Sequence, residues 1–139
     1  MRKAAALANR LTEVIIDCRD LDRMTGFWAA ALGYEESNRG EGWVALRPPG
    51  GDVSEDLLRA GPQAPAVALV AVPEAKTVKN RVHVDLTPVD RSQADEVARL
   101  ESLGARRVDI GQHDTPWVVL ADPEGNEFCV MPEIDLEDS

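Results

Sequence analysis

The sequence predicts an α+β fold: two tandem βαβββ modules whose strands join into one curved eight-stranded mixed sheet, with a concave cup and helices on the outer face. Three echoes between the halves of the chain predict it. Glu13 and Asp20 stand seven residues apart, at the start of a strand and of a helix, and so do His83 and Asp90. Both helices then end at glycine, Gly33 and Gly104. Trp43-Val44-Ala45-Leu46 returns as Trp117-Val118-Val119-Leu120, so the offset between the halves grows only from 70 to 74 residues. One such echo arises by chance, but three in the same order imply a duplicated unit.

The elements follow in order. LTEVIIDC, residues 11–18, is rich in β-branched residues and reads as a strand with Val14, Ile16 and Cys18 on one face and Glu13, Ile15 and Asp17 on the other. Asp20 and Asp22 supply carboxylates at the start of a helix whose Met24, Phe27, Trp28, Ala31 and Leu32 share a face, and Gly33 suits its left-handed cap. Strands are expected near 34–38 and 43–47, a short helix capped by Ser54, and an apolar strand over 66–72. The second cycle repeats this, with a strand over 81–86, a helix from 91 to 103, a strand near 106–110 and a hairpin. That hairpin, WVVLADPEGNEFCVM, has a Pro/Gly/Asn turn between two apolar runs. Its alternation places Glu127, Cys129 and Met131 on one face.

These spacings divide the chain into an N-terminal tail over 1–10, one domain over 11–135 and a C-terminal tail over 136–139. Within the domain, module 11–72 and module 81–132 are joined by the polar linker 73–80. The faces bearing Val14/Ile16 and Val82/Val84/Leu86 are uniformly apolar and are assigned to the helices. The cup then collects Glu13, Asp17, Trp43, Arg47, His83, Asp85, Trp117, Glu127 and Cys129.

Charge narrows the partners. Against 25 acidic residues there are 15 basic ones, a net charge of −10. Nucleic acid and anionic membrane surfaces both select basic proteins, so neither is expected as a partner. No apolar run approaches the ~20 residues of a membrane span. Two cysteines, Cys18 and Cys129, are too few for a disulfide framework and read as reduced thiols of a cytoplasmic protein.

On the tracts FWAAALGY, VKNRVHVDL, LGARR and WVVLADPEGNEFCVM, residues 11–132 resemble the vicinal oxygen chelate superfamily. Its glyoxalase, bleomycin resistance protein and dioxygenase relatives are built from paired βαβββ modules, and the similarity is greatest to glyoxalase-like domain proteins. In metal-dependent relatives the ligands lie at the start of each module's first strand and within its last strand. By position the resemblance implies Glu13, a residue near Val70, His83 and Cys129. Val70 is no ligand, and Cys129 stands where relatives often have glutamate. An extradiol-type iron site would want two histidines and a carboxylate.

Two functions compete. The first is a binding protein that sequesters a cationic or aromatic small molecule between Trp43 and Trp117, with Asp17, Arg47, Asp85 and Glu127 around it. Aromatic faces attract cations by about 0.5 to 2 kcal/mol. This reading needs no cofactor. The alternative, implied by the resemblance, is a lyase, isomerase or epimerase acting on vicinal oxygens. Glu13, His83 and Cys129 would hold zinc, nickel or manganese, and Glu13 with His83 would move protons. A plainer role for His83 is a hydrogen bond to Glu13. Many relatives dimerise, so a homodimer is expected.

Overall fold

The computed structural model describes residues 8–51 and 53–135. The expected tails, apart from residues 8–10, lie outside the described residues. The elements in order are β1 Glu13–Cys18, α1 Leu21–Leu32, β2 Glu35–Gly40, β3 Trp43–Arg47, α2 Glu55–Ala60 and β4 Ala66–Ala71, then β5 Asp85–Leu86, α3 Gln93–Ser102, β6 Arg106–Arg107, β7 Val118–Ala121 and β8 Glu127–Val130.

Helix boundaries follow from local chemistry. Asp20 caps α1 by accepting the Arg23 N–H at 3.1 Å. Gly33 closes it at φ 67, a conformation that costs glycine nothing. Ser54 and Ser92 cap α2 and α3 in the same way, accepting from Leu57 and Asp95.

The duplicated unit is visible in the hydrogen-bonding order. One sheet runs β1-β4-β3-β2 and the other β5-β8-β7-β6, so each module's first strand pairs parallel with its last. The expectation of one eight-stranded sheet is corrected by this pairing: among the described residues the strands form two four-stranded sheets. Two strands are also shorter than expected. After β6, the Gln112 side chain takes the Ile110 N–H and donates to the Val108 carbonyl, drawing the backbone away from the ladder.

The sheets share one core. Met24, Phe27 and Trp28 of α1 pack with Val44, Leu46 and Leu69 of the first sheet, and Leu120, Phe128 and Val130 of the second belong to the same cluster. Trp28 meets Phe128 edge-on at 5.2 Å between ring centroids, an arrangement that contributes about 0.5 to 1.5 kcal/mol beyond burial. The α1 helix is therefore not an outer layer on one sheet, because its buried stripe contacts both. Arg99 of α3 completes the joint by donating to the Ala30 and Ala31 carbonyls at the end of α1.

Register settles the faces within each sheet. Val14 pairs with Val67 and Ile16 with Leu69 on the core side, while Glu13, Ile15 and Asp17 lie opposite. Across β3, Trp43, Ala45 and Arg47 share that opposite face. In the second sheet Asp85, Cys129 and Val119 lie on the face turned away from Phe128 and Val130.

Candidate functional site

A cavity of about 360 Å³ opens where β1 approaches β8. This lies at the small end of the ~300–1,000 Å³ typical of ligand pockets. Strand β1 supplies Val14, Ile15, Ile16 and Asp17, α1 supplies Trp28, and β8 supplies Glu127 and Phe128. The chain between β4 and β5 closes the remaining side with Val72, Glu74, Lys76, Asn80 and Val82. The apolar face that the sequence assigned to covering helices, Val14 and Ile16 with Val82 and Val84, is thus part of the cavity wall.

The hairpin turn holds these walls together. Asp122 is fully buried and accepts hydrogen bonds from Trp28 Nε1 at 3.1 Å, from the Glu124 and Asn126 N–H groups at 2.9 and 3.0 Å, and from Asn126 Nδ2 at 2.9 Å. Glu124, from the same turn, reaches the β1–α1 junction and accepts the N–H groups of Arg19 and Asp20, each at 2.7 Å. The turn is structural, and through it the second module grips the first.

Charge around the cavity is negative. Asp17, Glu74, Glu124 and Glu127 line it, with Lys76 as the cation among the lining residues. Lys76 is committed to Glu127 at 3.0 Å. Burial pushes the Glu127 carboxyl up, but the Asn80 N–H and the Lys76 ammonium outweigh it and hold the group below its ordinary value. Asp17 and Glu74 are exposed and make no ion pair or side-chain hydrogen bond among the described residues. Cys18, at the end of β1, reports the same field: burial first, then Glu124, Asp122, Asp17 and Asp20, push its thiol up to about 11.

Of the nine residues placed in the cup from sequence, Asp17 and Glu127 line this cavity, and Glu13, Trp43, Arg47, His83, Asp85, Trp117 and Cys129 do not. Trp43 lies over Gly40, where an added Cβ would stand 2.3 Å from the indole nitrogen. Trp117 is 37% exposed. The aromatic cluster is Phe27, Trp28 and Phe128 instead. His83 Nε2 sits 3.0 Å from the Asn80 carbonyl oxygen and 3.3 Å from Lys79 Nζ, with no hydrogen bond to Glu13. Sequence reasoning missed Trp28, Lys76, Asn80 and Glu124 as site residues. The one available hint was that a polar linker joining two modules must cross their seam.

The glyoxalase-like domain family model matches residues 13–131. The chain belongs to this family. With it comes membership of the glyoxalase, bleomycin resistance and dioxygenase (vicinal oxygen chelate) superfamily. A glyoxalase/bleomycin resistance protein/dioxygenase family enzyme from Burkholderia phytofirmans PsJN is 19% identical, with TM-score 0.62 over 88% of this chain and 97% of that one. The fosfomycin resistance protein FosX of Mesorhizobium loti is 15% identical, with TM-score 0.59 over 98% of each chain. A variant of FosX from Listeria monocytogenes, complexed with Mn(II) and 1S,2S-dihydroxypropylphosphonic acid, is 10% identical, with TM-score 0.64 over 93% of each chain. At these identities the likeness is one of fold. No curated protein matches.

The glyoxalase-like fold makes a metal the natural question. Among the described residues no three His, Cys, Asp or Glu side chains stand together as a group able to hold a metal ion. Glu13, His83 and Cys129 therefore do not form the ligand set that the resemblance implied, since zinc asks for three protein ligands around one point. Burial pushes the Cys129 thiol up, and the neighbouring Asp85 carboxylate adds to the shift, so Cys129 is a neutral thiol near pH 7. Among the described residues, Glu13, His83 and Cys129 thus do not fit a divalent ion. No helix among the described residues is long and apolar enough to cross a membrane.

Proposed function

We propose that this glyoxalase-like domain binds a small cationic or aromatic molecule in the cavity between β1 and β8, sequestering it as the resemblance to bleomycin resistance proteins implied. One observation carries the reading: the cavity is lined both by apolar Val14, Ile16, Val84 and Phe128 and by two solvent-exposed carboxylates, Asp17 and Glu74, that make no ion pair among the described residues. An aromatic amine matches both surfaces, its ring against the apolar wall and its charge towards the carboxylates. The overall charge of −10 steers such a ligand inward. No resident cofactor is needed for this role.

Titration with a panel of aromatic amines and cationic dyes tests it through tryptophan emission. Trp28 lines the cavity, so binding should quench part of the signal, and that part should vanish in Trp28→Phe. A flat titration across the panel, or quenching of undiminished size in Trp28→Phe, sinks the reading. A cytoplasmic location, suited to two buried free thiols, and a homodimer complete the proposal. Sedimentation velocity reads the association state directly.

A further inference from the structure

The chain between Ala71 and Asp85 contains no helix or strand, yet it walls one side of the cavity. Its two ends are fixed: Val72 N–H donates to the Cys18 carbonyl at 2.7 Å, and the Val84 carbonyl accepts from Cys129 N–H at 3.0 Å. Between those points its hydrogen bonds to the rest of the molecule, among the described residues, go to one group, the Glu127 carboxylate, which accepts from Lys76 Nζ at 3.0 Å and from the Asn80 N–H at 2.9 Å. Nothing apolar anchors the middle, because Val78 and Val82 are 75% and 81% exposed. A flap held by one carboxylate and little buried surface opens at low cost, since local stability tracks apolar contact and protected backbone bonds.

We propose that residues 73–83 are a hinged lid over the cavity, and that the Glu127 clamp on Lys76 and Asn80 is its latch. The lid belongs to the proposed ligand site, yet its opening is readable without any ligand. Breaking the latch leaves both hinges in place, so the cavity should become accessible while the fold stays intact.

Two readouts on the full chain test this. In a Trp43→Phe/Trp117→Phe background only Trp28 emits, and acrylamide quenching then measures access to the cavity wall. Glu127→Gln and Lys76→Met should each raise the quenching constant severalfold, whereas Lys79→Met, which leaves the latch intact, should not. Tryptic cleavage after Arg81, followed in chains that keep all three tryptophans, should accelerate in the two latch variants. If Glu127→Gln loses its native near-UV circular dichroism, Lys76→Met decides, because it keeps the carboxylate and the Asn80 bond. Quenching and cleavage at the parent rate in Lys76→Met overturn the latch, as does an equal rise in Lys79→Met. A failed ligand titration with positive quenching results removes the proposed ligand and leaves the lid standing.

Discussion

Trp28 Nε1 donates to Asp122 Oδ2 at 3.1 Å, which ties the first module's helix to the second module's closing turn. Both residues are almost wholly buried, and the same carboxylate also organises the turn through Glu124 and Asn126. One side chain therefore sets the turn geometry, the docking of α1 and the position of Trp28 in the cavity wall.

Removing that carboxylate should be costly. Asp122→Ala leaves four donors without their acceptor, and hydrogen bonds to a charged group are strong, so a loss of about 2 to 4 kcal/mol is expected. Trp28→Phe removes a single donor and should cost less. Urea unfolding of both variants measures the order, and a larger loss for Trp28→Phe would contradict it.

Asp17 should recognise charge rather than shape. Asp17→Asn is expected to weaken a cationic aromatic probe roughly two- to fivefold, the worth of about 0.5 to 1 kcal/mol for an exposed carboxylate. A neutral aromatic of the same size should be unaffected. Added salt should shrink the difference, since exposed pairs are screened. Isothermal titration at two salt concentrations reads all three effects.

The Glu127 latch should weaken in acid. Its folded carboxyl lies below the ordinary value of 4.5, so its contribution to stability is present above pH 4.5 and is lost as pH falls through the lowered folded value. The stability difference between the parent and Glu127→Gln should therefore shrink on acidification below pH 4.5. A difference that stays constant down to acid unfolding contradicts the assignment.

Cys18 should be chemically quiet until the fold opens. Its thiol is raised from 9.0 to about 11, so the unfolded chain ionises first and the fold loses stability as pH climbs from 9.0 towards 11. Alkylation by iodoacetamide at pH 8 should wait for urea, and the alkaline slope of stability should flatten in Cys18→Ala. Fast labelling of the native protein would show that the site is open.

Much of the fold was legible because its signals are local. The Asp20 cap, the Gly33 terminator and the Ser54 cap act within a few residues of themselves, and the helices start and stop there. The duplication was legible through the repeat, and it recurs as the same strand order in both sheets, although the pairing itself was not read from the sequence. The beginning of β5 was not, because residues 79–83 satisfy themselves locally or on Glu127, a partner 47 residues from Asn80. The site was legible only in part. Asp17 and Glu127 were named by alternation, but alternation says which way a side chain points and not what stands opposite. Trp43 and Trp117 were paired on the assumption of one continuous sheet, and the break into two sheets removes the reason for that pairing.

By itself the sequence determined the duplicated unit, the Asp20 and Ser54 caps, the alternation of β1 and β8 and the family to which the chain belongs. Each of these depends on residue type at short spacing. Only the tertiary structure decided that the sheets remain separate, that α1 contacts both, and that the cavity is walled by β1, Trp28, the lid and β8. Those depend on contacts such as Trp28 with Asp122, 94 residues apart, whose free energy comes from mutual burial and is absent from either segment alone.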